Sequence, residues 1–452
     1  MHIHFIAIGG SVMHQLAIAL KKKGYEVTGS DDEIFEPALS NLKKEGIVPP
    51  EMGWDPGIIN TGIDAVILGM HAKDDNPELI KARELHLQIF SFPEYIYKES
   101  QHKKRVAIGG SHGKTTTTAM IMHVLKHAKV DFDYLVGARL EGFEQSVKIT
   151  DAPLIVCEAD EYPASAIEKR PKFHFLFPHI AVITGIAWDH INVFPTFNFY
   201  LEQFKIFIEK IEKNGVLIYN ETDDVLVKLI NKNKRNDISY ISYALPSYFI
   251  ENGVTSVRIG NKKTHLEIFG NHNLLNLQAS YLVCKQLGVS DDSFADAIGS
   301  FKGAAKRLEL LEENNEYNIY RDFAHAPSKV MASVNAVKQQ FPGRKLVAIL
   351  ELHTFSSLNE KFMNEYAGAM DNADEAIVFY SKHALELKRM PPLDPKIVAD
   401  GFKKTGLKII NDKEQLQKDL SVAGKRNTNF LFMSSGNYEG IDILKVIINN
   451  NL

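Results

Sequence analysis

Short apolar runs alternate with stretches of helical spacing along most of the chain, and this alternation determines the expected fold. In the first half of the chain, runs typical of buried strands lie at residues 2–8, 25–30, 65–68, 88–90, 106–108, 154–157, 180–184 and 216–219. Helical spacing occurs between them, most clearly at residues 13–22, 119–126 and 199–213. Strands that alternate with helices predict mostly parallel sheets covered by helices.

The second half of the chain departs once from the alternation of strands and helices and then resumes it. Residues 238–269 alternate apolar and polar positions, as short antiparallel strands do. Helical spacing follows at 273–287 and 291–301. Four more strands separated by helices are then expected at residues 345–350, 375–379, 407–410 and 429–433.

The length of the chain predicts three domains. A chain of 452 residues exceeds one ordinary domain, since domains average roughly 150 residues. A polar stretch at 93–104, interpreted as a linker, and a charged, Asn-rich stretch at 312–316 are the expected boundaries. The predicted domains are residues 1–100, 101–312 and 313–452.

The most informative segment is residues 105–118, with the sequence RVAIGGSHGKTTTT. A β-branched run ends at two glycines, passes through Gly113-Lys114-Thr115 and enters a helical pattern, which is the layout of a phosphate-binding loop. Backbone N–H groups and the helix N-terminus would hold a polyphosphate. Lys114 would bind its β and γ oxygens, and the Thr115 hydroxyl would bind Mg²⁺. The alternative is a chance Gly-Lys-Thr in a surface turn. The predicted ATP-binding residues of this loop are Gly110, Ser111, His112, Gly113, Lys114, Thr115 and Thr116.

The N-terminus begins with a βαβ pattern of the dinucleotide-binding kind. Strand 2–8 ends at Gly9-Gly10. Asp31 directly follows the second strand and lies about twenty positions after these glycines. Ala7 and Val12 occupy two of the three glycine positions of G-x-G-x-x-G, so NAD binding is weakly indicated. The expected fold is α/β in three domains: a Rossmann-like N-terminal domain, a central P-loop ATPase-like domain with a mostly parallel sheet, and a C-terminal Rossmann-like domain.

Acidic and histidine residues follow two strands of the central domain. Glu158-Ala159-Asp160-Glu161 comes directly after strand 154–157, and Asp189-His190 comes after strand 180–184. Because the carboxyl ends of parallel strands face the ligand crevice, these side chains should lie beside the phosphate loop, where carboxylates can hold Mg²⁺. The alternatives are a solvated acidic turn and a core histidine.

Six motifs together resemble the Mur ligase family in order and spacing over nearly the whole chain. The phosphate loop has the family's shortened Gly-x-x-Gly-Lys-Thr form. The other motifs are Glu158 to Glu161, Asp189-His190, His272-Asn273-x-x-Asn276, Lys306-Arg307-x-Glu309 and Asp322-Phe-Ala-His325-Ala-Pro327. At the N-terminus, residues 5–10, 29–31 and 74–78 resemble the branch that uses UDP-N-acetylmuramate, and the departures from the family pattern include Ala326.

The resemblance implies an ATP-dependent ligase that activates a carboxylate as an acyl phosphate, which an amine then attacks. It implies that Lys114 and Arg307, with two Mg²⁺ ions, neutralise the developing negative charge. The implied catalytic residues are Lys114, Glu161, His190 and Arg307. The implied metal ligands are Thr115, Glu158 and Glu161 for one ion and His190 for the second, with Lys205 included only if it is carbamylated.

The resemblance also implies how the three domains bind substrates. The first domain would bind the UDP-sugar through Gly9, Gly10, Ser11, Asp31 and His71. Further ATP contacts would come from Asn273, Asn276 and Arg307, and from Asp322 and His325 of the third domain. The third domain would also bind the amine substrate. For the asparagines alone, helix capping is the alternative, and for Asp322 a turn acid. For Lys205 the default is a solvated helix lysine, because carbamylation requires a depressed pKa.

The amine substrate has two interpretations within the family. Glu161-Tyr162 and residues 168–173 (EKRPKF) resemble the member that attaches L-Ala-γ-D-Glu-meso-diaminopimelate, and residues 434–440 lack the glycine-rich ending of the L-alanine enzyme. Residues 351–355 and 74–77 favour the L-alanine ligase instead. The prediction is the tripeptide, with Arg170 as a contact for its carboxylates unless this segment is only a solvated basic turn.

Composition excludes several other classes. The net charge of −4 with scattered cations predicts no nucleic-acid partner. Cys157 and Cys284 lie far apart in apolar runs, and no long apolar segment or leader pattern is visible, so we expect a cytoplasmic protein without a membrane partner. A monomer or weak homodimer acting on small molecules is expected. A nicotinamide dehydrogenase and a mechanical or signalling P-loop ATPase remain alternatives that leave the Asn273, Arg307 and Asp322 motifs unexplained.

Overall fold

The computed structural model describes residues 1–138, 140–188, 193–304 and 307–448. Contacts between Cα atoms divide the chain into two compact units. The first comprises Met1–Ala244 and Asn276–Ala297, and the second comprises Leu245–Leu275 and the residues from Ile298 onward. The largest sheet of each unit is mostly parallel, which confirms the predicted fold class.

The N-terminal part of the first unit is a four-stranded parallel sheet of order β2-β1-β3-β4. Its elements are β1 (His2–Ile6), α1 (Met13–Lys22), β2 (Glu26–Ser30), α2 (Ala38–Glu45), a 3₁₀ turn (Pro56–Ile58), β3 (Ala65–Leu68), α3 (Pro77–Glu84), β4 (Ile89–Ser91) and α4 (Phe92–Ser100). The four strands and α1 agree with the sequence pattern to within two residues at each end.

The predicted polar linker at 93–104 was wrong, because most of it forms helix α4. Ser91 and Glu94 form a capping box at its N-terminus, which satisfies backbone N–H groups that a linker would leave to water. Tyr95 and Ile96 are fully buried. Glu94 and Lys98 of this stretch are half-buried, whereas Glu99 is buried and accepts from Lys23 Nζ at 2.8 Å. The overall polarity of the segment therefore concealed an apolar helix face.

The central sheet has seven strands in the order β11-β10-β9-β5-β8-β6-β7. Its elements are β5 (Lys104–Gly109), α5 (Lys114–His127), β6 (Asp133–Leu135), β7 (Val147–Lys148), β8 (Leu154–Glu158), a 3₁₀ turn (Lys172–Phe175), β9 (Ile180–Ile183), α6 (Phe197–Glu209), β10 (Val216–Asn220), α7 (Asp224–Lys232) and β11 (Ser239–Tyr243). Because β5 lies between β8 and β9 and is parallel to both, the carboxyl ends of these three strands meet at one edge.

The second unit contains two sheets. The antiparallel strands predicted at 238–269 are confirmed for β12 (Tyr248–Glu251), β13 (Val254–Ile259) and β14 (Lys262–Leu266). For residues 239–243 the prediction was wrong, because β11 pairs in parallel with β10 at the edge of the central sheet. A six-stranded sheet has the order β15-β16-β20-β17-β18-β19. Its strands are β15 (Glu309–Glu313), β16 (Tyr317–Asp322), β17 (Lys345–Leu352), β18 (Glu375–Tyr380), β19 (Lys408–Ile410) and β20 (Thr428–Met433).

The remaining helices complete the two units. They are α8 (Asn271–Gln286), α9 (Asp291–Ile298), α10 (Pro327–Gln340), a 3₁₀ helix (Glu360–Tyr366), α11 (Lys382–Leu387), α12 (Pro395–Phe402), α13 (Lys413–Ser421), a 3₁₀ turn (Tyr438–Gly440) and α14 (Ile443–Ile448). None of the helices in the described ranges has the length and apolar character needed to cross a bilayer. Cys157 and Cys284 are both free and buried.

The start of the C-terminal domain differs from the sequence expectation. Strands β15 and β16 pair as an antiparallel hairpin with a register shift between Leu310 and Glu312. The expected boundary between residues 312 and 313 therefore falls inside a hydrogen-bonded hairpin. The second unit already includes the chain from Ile298 onward. A charged, Asn-rich composition marks the hairpin turn here, not a change of domain.

Candidate active site

The phosphate loop lies between the end of β5 and the start of α5, and the end of β9 supports it. Gly110 and Gly113 have φ of +124° and +80°, a conformation that glycine adopts without strain. The Ser111 N–H donates to the carbonyl of Gly185 at 2.9 Å. The Thr184 hydroxyl donates to the carbonyls of Gly109 and His112. These bonds fix the loop in a turn around the helix N-terminus.

Lys114, the first residue of α5, points back over this loop. Its Nζ donates to the carbonyl of Gly110 at 2.7 Å and to Glu161 Oε2 at 2.8 Å. The Lys114 side chain is 13% exposed and the Glu161 side chain is 1% exposed. Burial lowers the pKa of Lys114, but the negative charges of Glu161 and its acidic neighbours outweigh burial, so the pKa is raised overall. Lys114 is therefore a half-buried, charged ammonium beside the loop.

The acids at the carboxyl end of β8 each have a different partner. Glu158 accepts from the Thr115 hydroxyl and from the Gly137 N–H, both at 2.8 Å. Asp160 accepts from Lys172 Nζ at 2.7 Å. Because Glu161 is fully buried and bonded to Lys114, the alternative of a solvated acidic turn does not describe it.

Thr115, Glu158 and Glu161 fit the chemistry of a Mg²⁺ site. They offer hydroxyl and carboxylate oxygens beside the expected position of the phosphates, and oxygen ligands are those that this hard cation selects. Within the described ranges, no three His, Cys, Asp or Glu residues are grouped so that they could hold a metal by themselves. His190, expected at a second ion, and the preceding Asp189 lie outside the described residues.

Lys205 lies on α6 and is paired with acids of the same helix. Its Nζ is 2.7 Å from Glu202 Oε1 and 3.9 Å from Glu209 Oε1. The hydrogen bond to Glu202 raises the pKa of Lys205, whereas carbamylation requires a lowered one. The structure therefore favours the default interpretation, a solvated helix lysine.

The residues expected at the nucleotide fall in both units. In the first unit, Asn276 accepts from the Thr117 hydroxyl at 3.3 Å, which places it against the first turns of α5. In the second unit, Asn273 donates from its amide to the carbonyl of Phe269 at 2.9 Å. Both asparagines are buried and lie three residues apart on α8, so they share one face of that helix.

Arg307, Asp322 and His325 lie in the second unit, near the carboxyl end of β16. The guanidinium of Arg307 lies 4.7 Å from the centre of the Phe323 ring, and His325 meets the same ring edge-on at 5.3 Å. Asp322 is buried and accepts from the Ser333 hydroxyl at 2.5 Å. Arg307 and His325 therefore pack on the residue that directly follows Asp322.

The expected UDP-sugar residues form a second strand-end cluster, in the N-terminal sheet. The Gly9 N–H donates to Asp31 Oδ2 at 2.6 Å, and the Gly10 carbonyl accepts from His14 at 2.9 Å. His71 follows β3, and its small lowering effect on the pKa of Asp31 is outweighed by burial, which raises that pKa. Ser11 is exposed at the loop tip. Ala7 has φ of +67°, so it takes the left-handed conformation for which glycine is usual.

Asp31 gives a prediction on the pH dependence of stability. Burial, helped by the neighbouring Asp32, raises the pKa of Asp31 to about 6 in the folded protein, against about 3.9 in an unfolded chain. The folded state then binds the proton more tightly, so this carboxyl stabilises the fold at low pH and the benefit is lost as pH rises from 4 to 6. The loss is on the order of 2 to 3 kcal/mol.

Thermal unfolding from pH 4 to pH 7 measures this effect. Asp31→Asn should remove the decline in melting temperature, because the amide does not titrate. The exposed neighbour Glu33 provides the control, and Glu33→Gln should keep the wild-type profile. An unchanged profile in Asp31→Asn would contradict the raised pKa.

Sequence reasoning missed Tyr200, which lies on α6 among the phenylalanines of the core. Its hydroxyl donates to Glu161 Oε1 at 3.2 Å and lies 2.8 Å from Ser111 Oγ. Spacing alone indicated an apolar helix face, since Phe204 and Phe207 share it. The available signal was the hydroxyl itself, because a buried tyrosine usually needs a hydrogen-bond partner.

Comparison with known families gives three matches that together span most of the chain. A profile described as "Mur ligase family, catalytic domain" matches residues 2–104. The profile "Mur ligase middle domain" matches residues 108–284, and "Mur ligase, glutamate ligase domain" matches residues 306–436. Their order is that of the sheets described above.

Individual relatives carry related names. The UDP-N-acetylmuramate–L-alanine ligase of Caldicellulosiruptor bescii is 33% identical over 386 residues, 83% of this chain and 82% of that protein. The solved UDP-N-acetylmuramate-alanine ligase of Thermotoga maritima aligns with 100% of this chain and 98% of its own, at a TM-score of 0.68 and 23% identity. A solved UDP-N-acetylmuramate:L-alanyl-gamma-D-glutamyl-meso-diaminopimelate ligase from Neisseria meningitides aligns with 67% of this chain and 98% of its own. Its TM-score is 0.60 and its sequence identity is 26%.

Proposed function

Because this chain belongs to the Mur ligase family, whose members are ATP-dependent ligases that use Mg²⁺, we propose that it joins UDP-N-acetylmuramate to L-alanine. The carboxylate of the UDP-sugar would attack the γ-phosphate of ATP, and the amine would then displace phosphate from the resulting acyl phosphate. The reaction belongs to peptidoglycan synthesis, and we place it in the cytoplasm, where ATP is available.

The observation that carries this proposal is the cluster at the phosphate loop. Half-buried Lys114 and buried Glu161 form an ion pair over the loop, and Thr115 donates to Glu158 beside them. When ATP binds, Lys114 neutralises phosphate charge while the loop N–H groups hold the oxygens. In the same proposal Arg307, Asp322 and His325 contact the nucleotide, and Asn273 and Asn276 hydrogen-bond the adenine.

Mg²⁺ would be held by Thr115, Glu158 and Glu161, and when bound it neutralises charge on the transferring phosphoryl group. The proposal retains a second ion at His190. Gly9, Gly10, Ser11, Asp31 and His71 contact the UDP-sugar in the N-terminal sheet. The three domains at 1–100, 101–312 and 313–452 would bind UDP-sugar, ATP and amine in turn. The last boundary is placed before the hairpin, near residue 298, where the second unit resumes.

L-alanine is the proposed amine because sequence relatives that align over more than four-fifths of this chain are named for it. The tripeptide L-Ala-γ-D-Glu-meso-diaminopimelate is a second candidate. The Neisseria structure named for that tripeptide and the resemblance of residues 168–173 favour it. Arg170, its expected contact, is 61% exposed and already forms hydrogen bonds of 2.7 and 3.0 Å with Glu168.

Amine-dependent release of phosphate tests the proposal. With ATP, Mg²⁺ and UDP-N-acetylmuramate, kcat/KM for L-alanine should exceed that for the tripeptide by on the order of 100-fold, with the amide product identified by mass spectrometry. D-alanine and reactions without the UDP-sugar are the controls. A better rate with the tripeptide would replace the first candidate by the second. A rate of phosphate release that is the same with and without the amine and the UDP-sugar would overturn the ligase proposal.

A further inference from the structure

We propose that Tyr200 is a positioning residue that holds Glu161 towards the phosphate loop, so that the carboxylate stays in place when ATP engages Lys114. This inference rests on the proposed placement of ATP at residues 110–116. It concerns a residue that neither the motifs nor the expected ligand set include.

The contacts form one directed chain of hydrogen bonds. A carboxylate only accepts, so the single Tyr200 hydroxyl proton donates to Glu161 Oε1. Ser111 Oγ must then donate to the Tyr200 oxygen at 2.8 Å. Ser111 Oγ in turn accepts from the Ala187 N–H at 2.9 Å. The chain therefore runs from the segment after β9, through the phosphate loop and α6, to the acid that follows β8.

Packing leaves the hydroxyl little freedom. Tyr200 is fully buried, with its ring centre 5.1 Å from that of Phe194 and 5.2 Å, edge-on, from that of Phe204. The Thr196 hydroxyl accepts from the Phe199 N–H and begins α6 one turn before the tyrosine. A rigid aromatic ring in this position aims its hydroxyl at a fixed point.

The two oxygens of Glu161 have separate donors, and this division gives Tyr200 its role. Lys114 bonds Oε2 and Tyr200 bonds Oε1. Phosphate oxygens compete with Glu161 for the ammonium of Lys114 when ATP arrives. The Tyr200 bond does not face that competition, so it keeps the carboxylate oriented in the nucleotide-bound state. Hydrogen bonds that orient a ligand in this way typically change metal affinity by about 10- to 100-fold.

Tyr200→Phe tests the role, since it removes only the hydroxyl and preserves the ring contacts. Calorimetric titration with ADP and Mg²⁺ should show affinity weakened about 10-fold, and the KM for ATP should rise to match. The KM for UDP-N-acetylmuramate at saturating ATP should stay at the wild-type value, which a general loss of structure would not allow. Tyr134→Phe is the matched control, because Tyr134 is also buried but packs on Phe143.

A double-mutant cycle separates this inference from the proposed function. Ser111→Ala cuts the same chain one link earlier, so adding it to Tyr200→Phe should weaken ADP binding by less than the product of the single effects. Wild-type affinity for ADP and Mg²⁺ in Tyr200→Phe, or full additivity in the cycle, would overturn the role of Tyr200. Absence of any ADP binding by the wild type would instead overturn the ATP site itself.

Discussion

Lys114→Ala will abolish ATP-dependent ligation, with kcat/KM reduced by on the order of 10³-fold or more. The ammonium lies at the N-terminus of α5, over the loop expected to hold the phosphates, and its pKa is raised, so it carries full charge at neutral pH. An alanine cannot offset the charge that gathers when a carboxylate approaches a triphosphate. Phosphate release measured with saturating UDP-sugar and amine checks this result.

The same substitution will also lower stability, because it leaves Glu161 without its cation. Removing one partner of a buried ion pair costs about 3 to 5 kcal/mol. The Tyr200 bond reduces that loss but supplies no charge. The double variant Lys114→Ala with Glu161→Gln should regain most of the melting temperature and none of the activity. Lys126→Ala, an exposed lysine near the end of the same helix, is the control, and normal turnover by folded Lys114→Ala would contradict the phosphate-loop assignment.

Gly110→Ala will prevent nucleotide binding, because the loop cannot keep its shape with a Cβ at this position. Gly110 has φ of +124°, and the added carbon would lie 2.1 Å from Thr184 Oγ1 and 2.8 Å from the Thr184 backbone nitrogen. The backbone contact cannot be relieved by rotating a side chain, so the loop must separate from the end of β9. We expect destabilisation on the order of 3 kcal/mol and no detectable ADP binding by calorimetry.

Two other glycines separate steric conflict from backbone strain. Gly24 has φ of +97° with open space around the added carbon, so Gly24→Ala should cost only about 1 to 2 kcal/mol and leave ADP affinity unchanged. At Gly113 the nearest atom is Asn276 Oδ1, at 2.2 Å, and that amide can turn aside, so Gly113→Ala should have an intermediate effect. If Gly110→Ala bound ADP as the wild type does, the observed loop conformation would not be the binding conformation.

Strands and helices followed from the sequence where the signal was local. The helix Met13–Lys22 and the strand Ala65–Leu68 agree residue for residue with the apolar spacing. The pattern failed where long-range packing decided the outcome. Residues 92–100 became a helix because Tyr95 and Ile96 enter the core, and residues 309–313 became a strand by pairing with β16. Tertiary burial outweighs local polarity in both places.

In the candidate site, too, some features follow from local sequence and others from long-range packing. The sequence by itself determined the phosphate loop and the positions of acids at strand ends, because glycine spacing and the strand-to-helix transition act within a few residues. Only the tertiary structure decided which donor each acid meets: Glu161 bonds Lys114, 47 residues away, and Tyr200, 39 residues away. Those pairings exist because β5 is inserted between β8 and β9, and strand order is a property of the folded sheet that no local pattern encodes.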